Sequence, residues 1–276
     1  RLVIASRTER VLGYLLLSVA VIVTVLPLVS MFSAALQPAD RNPTGLTWPT
    51  DPQWGNFATA FETGHVWQLM GSSMLIVLGV VPASLIAATL AGFALGSLQV
   101  RFGRGVLVFF ILGLTIPFEA LIIPLYYQAQ SMGTVNTPWA VIFPLIGLYM
   151  PFGVFWMRAH FINVPRELSE AARVDGASIW REFRSIQLPL AAPALSALAI
   201  LLFIWTWNQF LLPVVLIADP LQRTVAGALT FFQGQYSLSI PLLNAGALII
   251  ITPAVLLFLV FQRQFIRALV QGAVKG

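Results

Sequence analysis

The chain has 276 residues, 58% of them hydrophobic and 9% charged, with a formal net charge of +5 and no cysteine. Soluble domains carry roughly 25% charged residues, so a water-soluble enzyme or binding module is excluded and a polytopic membrane protein is expected, with room for about six spans of roughly 20 apolar residues. Composition also excludes disulfides and thiolate metal sites; no HExxH, GxSxG or P-loop pattern occurs, His65 and His160 lie far apart, and neither a catalytic nor a metal site is expected.

Arg1, Arg7 and Arg10 precede an apolar run too long for a signal-peptide core, so residues 1–10 are read as a cytoplasmic segment before a retained first helix. Residues 11–36 hold no charge and form span one. A stretch with Asp40, Arg41, Asp51 and Glu62, rich in Pro and Trp, follows. Span two covers about 70–98 and ends before Arg101 and Arg104. Glu119 is the only charge from 105 to 157, a tract too long for one helix. Turn-forming residues clustered at 128–138 divide it into span three, 106–127, and span four, 139–157. A long polar segment, 158–193, leads to span five at 194–217, a loop opened by Asp219 and Arg223, and span six at 242–261. The membrane domain is thus 11–267, followed by a basic tail, 268–276.

Orientation follows from the positive charges. With a cytoplasmic N-terminus, only Arg41 and Arg223 of the 15 Lys and Arg residues fall outside, which leaves the other thirteen inside. That asymmetry satisfies the positive-inside rule and places both termini in the cytoplasm. The net positive charge is therefore a matter of topology and calls for no nucleic-acid partner.

The cytoplasmic segment between spans four and five predicts two short helices outside the bilayer. Pro165 suits a first helical turn, and Glu167 suits the positive end of the helix dipole. Gly176 ends the first helix in a left-handed cap. A second helix runs over about 178–186, and Pro189 interrupts the chain before span five. Ile179, Phe183 and Ile186 give the second helix an apolar face, while Leu168, Ala171, Ala172 and Asp175 cluster on the first. Such a pair suits either docking in a groove of another protein or lying on anionic lipid.

Within the segment, Glu170, Ala171, Ala172, Gly176, Ile186, Leu188 and Pro189 match the pattern Glu-Ala-Ala, three residues, Gly, nine residues, Ile-x-Leu-Pro. This resembles the signature loop of permease subunits of binding-protein-dependent ATP-binding-cassette importers. The likeness extends over nearly the whole chain to the carbohydrate-uptake branch, and within it to the smaller permease of the maltose type. It is carried by Trp207-Asn208-Gln209, by Arg223-Thr224, by the run from Phe231 to Tyr236, and by the tail from Gln262 to Gly276. The family often has Glu where this chain has Gln209. The resemblance implies an all-α integral membrane protein of six transmembrane helices, with a two-helix coupling loop (163–189) between helices 4 and 5. In such a protein Glu170, Ala171, Ala172, Asp175, Gly176, Ile186, Leu188 and Pro189 engage an ATPase. It further implies a homologous second permease, two ATPase subunits that bind ATP and Mg, and a periplasmic or lipid-anchored solute-binding protein. The location would be the bacterial inner membrane, with membrane lipid around the helices.

Substrate-pathway candidates are Trp205, Trp207, Asn208 and Gln209 in span five, since amides and aromatic faces suit a neutral polyhydroxylated ligand. Helix packing through an interhelical amide is the alternative. Glu119, the one acid within a span, either lines the pathway or satisfies backbone donors near a helix break between Pro117 and Pro124. Phe231, Phe232, Gln233, Gly234, Gln235 and Tyr236 form an outer loop that either reaches a docked binding protein or packs on a partner permease. Other solutes, such as glycerol phosphate or an amino sugar, stay open. A secondary transporter would need repeated intramembrane acids, and a single Glu119 gives it little support.

Overall fold

In an apolar surrounding, charge-free runs of Leu, Ile, Val, Phe and Ala can satisfy their backbone polar groups within one segment only as helix. The computed structural model describes residues 7–273 except 42, 44, 99 and 233–238, with side chains as far as Arg263. Among the described residues, all regular structure is helical. The elements are α1 (Arg7–Ala35), α2 (Gly55–Thr63), α3 (Val66–Ser97), α4 (Gly103–Thr115), α5 (Ile122–Ser131), α6 (Trp139–Ile162), α7 (Arg166–Val174), α8 (Ile179–Leu190), α9 (Ala192–Trp207), α10 (Leu211–Leu216) and α11 (Ile240–Ala273). Four of them, α1, α3, α6 and α11, contain stretches long and apolar enough to cross a membrane, and the number reaches six if each of two bent helix pairs is one span.

Two of the expected spans are not continuous helices. Span three is not one helix: α4 ends at Thr115, a 3-10 turn occupies Phe118–Leu121, and the chain changes direction by 96°. Pro117 forces Ile116 into an extended conformation (φ −80°, ψ 120°), because the proline ring clashes with a helical predecessor. Span five is likewise interrupted between Trp207 and Leu211. Pro213 lacks the N–H that would reach the Gln209 carbonyl four residues back, and the Thr224 hydroxyl donates to that carbonyl instead.

Pro189 does not end its helix as expected. It lies inside α8, where a π-helical turn over Phe183–Gln187 lets the Leu188 N–H reach the Phe183 carbonyl. The wider turn absorbs the missing donor and the bulk of the proline ring. The chain bends by 72° only at Ala191, between α8 and α9. At the other end of the chain, α11 continues to Ala273, past the end of the apolar run and through the boundary expected at 268.

Two compact units divide the chain. The first comprises Arg1–Val66 and Ala228–Ile251. Its small core contains Ala35, Ala60, Phe232 and Ala245. The last carbonyls of α1 have no helical partner, and the buried Asn56 amide donates to Ala35 (2.8 Å) and Gln37 (2.7 Å). The Phe232 ring lies against Gly64 and Gly246, where a Cβ at Gly246 would come within 2.5 Å of it.

The second unit comprises Trp67–Gly227 and Thr252–Gly276. Ile76, Val80, Ile142, Leu145, Leu212 and Leu216 lie in one hydrophobic core cluster of this unit. Asn136, in a left-handed conformation (φ 64°), clasps the end of α10 in both directions: its N–H donates to Leu216 O (2.9 Å) and its side-chain oxygen accepts from Ala218 N (2.7 Å). The α3–α6 contact is closer still. A Cβ on Gly92 would lie 2.6 Å from Met157 Cβ, one on Gly96 2.9 Å from Phe161 Cβ, and one on Gly153 2.8 Å from Ala88 Cβ. Small residues let helix backbones approach in this way where no hydrophobic force distinguishes side chain from lipid.

Candidate functional site

The two-helix loop is built on local backbone chemistry. α7 starts after Pro165 and ends in a Schellman motif: Ala177 N–H reaches Ala172 O (2.9 Å) and Gly176 N–H reaches Arg173 O (3.0 Å). Gly176 carries the left-handed φ of 75° that this cap requires, and its Cα faces open space. Ser178 then caps α8, its hydroxyl accepting from Arg181 N at 3.3 Å.

Two polar links tie α7 to α8. Arg173 Nε pairs with Glu182 Oε2 at 3.4 Å. Gln187 Nε2 donates to Ser169 Oγ at 3.0 Å. Glu182 and Gln187 are both buried, and each has one side-chain oxygen, Oε1 in both cases, without a hydrogen-bond partner.

The exposed side of the loop carries both signs of charge together with apolar side chains, Arg166, Arg173, Arg181 and Arg184 being exposed as well as the acids. Glu170, Ala171 and Asp175 are exposed, as are Leu168, Ile179 and Trp180, and Val174 is 88% exposed. Ala172 is buried, Ile186 and Leu188 are half-buried, and Pro189 is exposed. The apolar face expected from Ile179, Phe183 and Ile186 is therefore divided. Ile179 faces out, whereas Phe183 is buried against Phe93 of α3, with ring centroids 5.0 Å apart. Phe93 in turn meets Phe161 of α6 edge-on at 5.6 Å.

The span-five candidates are dispersed. Trp207 is only 1% exposed and stacks on Phe203. Asn208 lies just past the end of α9 and spends an amide hydrogen on Ile204 O (2.9 Å). Trp205 remains partly exposed and packs on Phe152 (4.9 Å) and Tyr149 (5.7 Å) of α6. The buried Tyr149 hydroxyl is near Thr206 and Gln209. Trp205, Tyr149, Phe152 and Gln209 thus form an aromatic and amide group. Tyr149 and Phe152 escaped the sequence reading, although their spacing of three on one helix places them on a shared face.

Glu119 lies on the 3-10 turn with an exposed side chain. Among the described residues its carboxylate holds no backbone donor, and the break is closed by main-chain bonds, such as Ala120 N to Pro117 O at 3.2 Å. A groove of about 310 Å³ between α5 and α6, lined by Gln128, Met132, Trp139 and Phe143 among others, contains none of the expected residues. Of the run expected as an outer loop, Phe231 and Phe232 belong instead to a 3-10 helix, Val225–Phe232; Phe231 meets His65 at 5.2 Å and Phe232 is buried, while Gln233, Gly234, Gln235 and Tyr236 lie outside the described residues.

Residues 88–272 match the family model described as "Binding-protein-dependent transport system inner membrane component". The chain is 34% identical to the arabinooligosaccharides transport system permease protein AraQ of Halalkalibacterium halodurans, over 98% of this chain and 99% of that protein. It is 32% identical to the diacetylchitobiose uptake system permease protein DasC of Streptomyces coelicolor, over 91% of this chain and 92% of that protein. Its fold is shared with a chain in the crystal structure of a bacterial ABC transporter involved in the import of the acidic polysaccharide alginate. The TM-score is 0.78 at 20% identity, covering 95% of this chain and 99% of that one.

Proposed function

Since the chain belongs to the family of binding-protein-dependent transport inner-membrane components, and is thus a permease subunit of an ATP-binding-cassette importer, we propose that it passes a neutral sugar or oligosaccharide and is driven through its 163–189 loop. ATPase subunits and a solute-binding protein are its partners. The membrane is the bacterial inner membrane, with six spans, both termini and the loop on the cytoplasmic side. A second permease completes the pathway, and ATP and Mg are held by the ATPases.

The observation that carries the substrate class is the likeness, over more than nine-tenths of the chain, to permeases named for arabinooligosaccharides and diacetylchitobiose. The Trp205, Tyr149, Phe152 and Gln209 group adds chemical support. Aromatic faces and an amide suit a ligand that offers hydroxyls in plane and C–H groups above and below. The expected spans contain no Lys or Arg, so they supply no counter-charge for an anionic cargo.

The loop has the attributes of a docking element. Its helices are cross-linked by two polar contacts, and an exposed apolar edge of Val174, Ile179 and Trp180 is flanked by Glu170 and Asp175. With Arg173 and Arg181 exposed next to Val174 and Trp180, such an edge fits an apolar groove whose rim offers charges of both signs. Closure of the ATPases on ATP would move the loop, and the helices packed on it would follow.

The test is the assembled complex with its own binding protein in proteoliposomes, assayed for solute-stimulated ATP hydrolysis and uptake. Neutral oligosaccharides should stimulate both. Stimulation confined to glycerol phosphate or another anion removes the substrate reading, and uptake that persists without ATP favours a secondary transporter.

A further inference from the structure

Phe93 is in an unusual position. It sits on α3 between Gly92 and Gly96, the two glycines whose backbones touch α6 at Met157 and Phe161. Its ring is buried between Phe161 of α6 and Phe183 of the loop, at 5.6 and 5.0 Å. Arg158 adds a polar tie at the same level, its Nε donating to Leu95 O at 3.3 Å. A contact of this kind cannot be compressed or stretched without loss, because packed interiors are as dense as organic crystals and transmit displacement.

Along the chain, α6 leads into the loop through 163–165, and α8 leads out of it into α9 across the 72° bend at Ala191. No short stretch of chain joins α3 to the loop, and Phe93 makes that connection through space. We infer that Phe93 is the positioning residue through which movement of the loop enters α3, so that α3 and α6 are displaced together as one body when the loop moves. The inference rests on the reading of 163–189 as the ATPase-engaged loop. A chain of packed residues counts as a mechanical route only when cutting and restoring one contact changes the coupling.

The chain has no cysteine of its own, which makes that test available. Phe93→Cys and Phe183→Cys are introduced together, and the complex with its ATPases is reconstituted with the binding protein and transported solute. With the thiols reduced, the ring contact is gone, and solute uptake per ATP hydrolysed should fall about tenfold, with the ATPases still co-purifying. Bridging the two thiols with a short bifunctional thiol reagent should recover most of the loss, because the contact is rebuilt as a covalent one. Wild-type uptake per ATP in the reduced protein overturns the inference, as does a bridged protein no better than the reduced one. Phe183→Leu, which keeps apolar volume but loses the ring, covers the case in which the double variant fails to assemble: weakened coupling supports the joint and unaltered coupling overturns it. Failure of the docking reading looks different, since Glu170→Ala and Gly176→Val would then leave ATPase attachment unchanged whatever happens at Phe93.

Discussion

Arg173 and Glu182 form an ion pair whose two ends live in different solvents: the arginine side chain is 55% exposed and the glutamate 0%. The pair bridges the two helices of the loop. Removing the arginine leaves a buried carboxylate without its cation, whereas neutralising the glutamate leaves an amide of the same shape. Arg173→Ala should therefore loosen the loop more than Glu182→Gln. The difference should be about 1 kcal/mol, the pair being half open to water. Limited proteolysis within 163–189, compared between the two variants, checks the order.

At Gly176 the penalty for a side chain is backbone alone. The site is open, so no clash contributes, and the left-handed φ of 75° decides the outcome. Gly176→Val should cost about 1–2 kcal/mol of cap geometry and weaken retention of the ATPase during purification. Gly176→Asn, which tolerates that conformation, should retain it nearly as well as the parent. Equal retention in Val and Asn variants would remove the left-handed turn from the account of docking.

Labelling of single cysteines decides the topology. Asp51→Cys and Val174→Cys both put an exposed thiol outside the helices long and apolar enough to cross a membrane. A membrane-impermeant maleimide added to intact cells should reach position 51 and not 174, with the reverse in inside-out vesicles. Labelling of both from one side contradicts the six-span arrangement.

Gly92 and Gly105 are both helical glycines with opposite expectations. A methyl at 92 meets Met157 Cβ at 2.6 Å, while one at 105 meets nothing within 4 Å. Gly92→Ala should lower the melting temperature in detergent through overpacking worth about 1–3 kcal/mol. Gly105→Ala should hold or raise it, since alanine favours helix.

Thr224 supplies the donor that Pro213 cannot. Thr224 is buried, so Thr224→Val strands the Gln209 carbonyl at a loss of about 1–3 kcal/mol. Thr224→Ser keeps the hydroxyl and most of the stability. Thermal unfolding of the two variants measures the difference.

These cases mark what could and could not be read from sequence. Sparse charges outlined the apolar stretches because a charge in hydrocarbon is expensive wherever it sits. Pro165 and Gly176 announced the ends of α7 because their backbone preferences are local. The division of the second loop helix could not be seen, since Phe183 is buried by Phe93, ninety residues earlier in the chain. Trp205 and Trp207 look alike in sequence, yet in the fold one stays partly open and the other is buried. Prolines were legible unevenly. The sequence allows a break between Pro117 and Pro124, and one follows Pro117; the interruption before Pro213 and the helix that runs through Pro189, where the π turn makes room for the ring, are not announced.

The π turn has a consequence for length. One residue more than a regular helix needs is stored in Phe183–Gln187. Deleting Ser185 would let the stretch close as ordinary α-helix with the residues after it nearly in their present orientation, because the wide turn takes up the extra residue. The Pro189 ring would then meet the carbonyl four residues back, at a cost of about 3 kcal/mol. The extra residue is therefore room for a proline at the entrance to α9, and its loss would strain that entrance without re-aiming the helix beyond it.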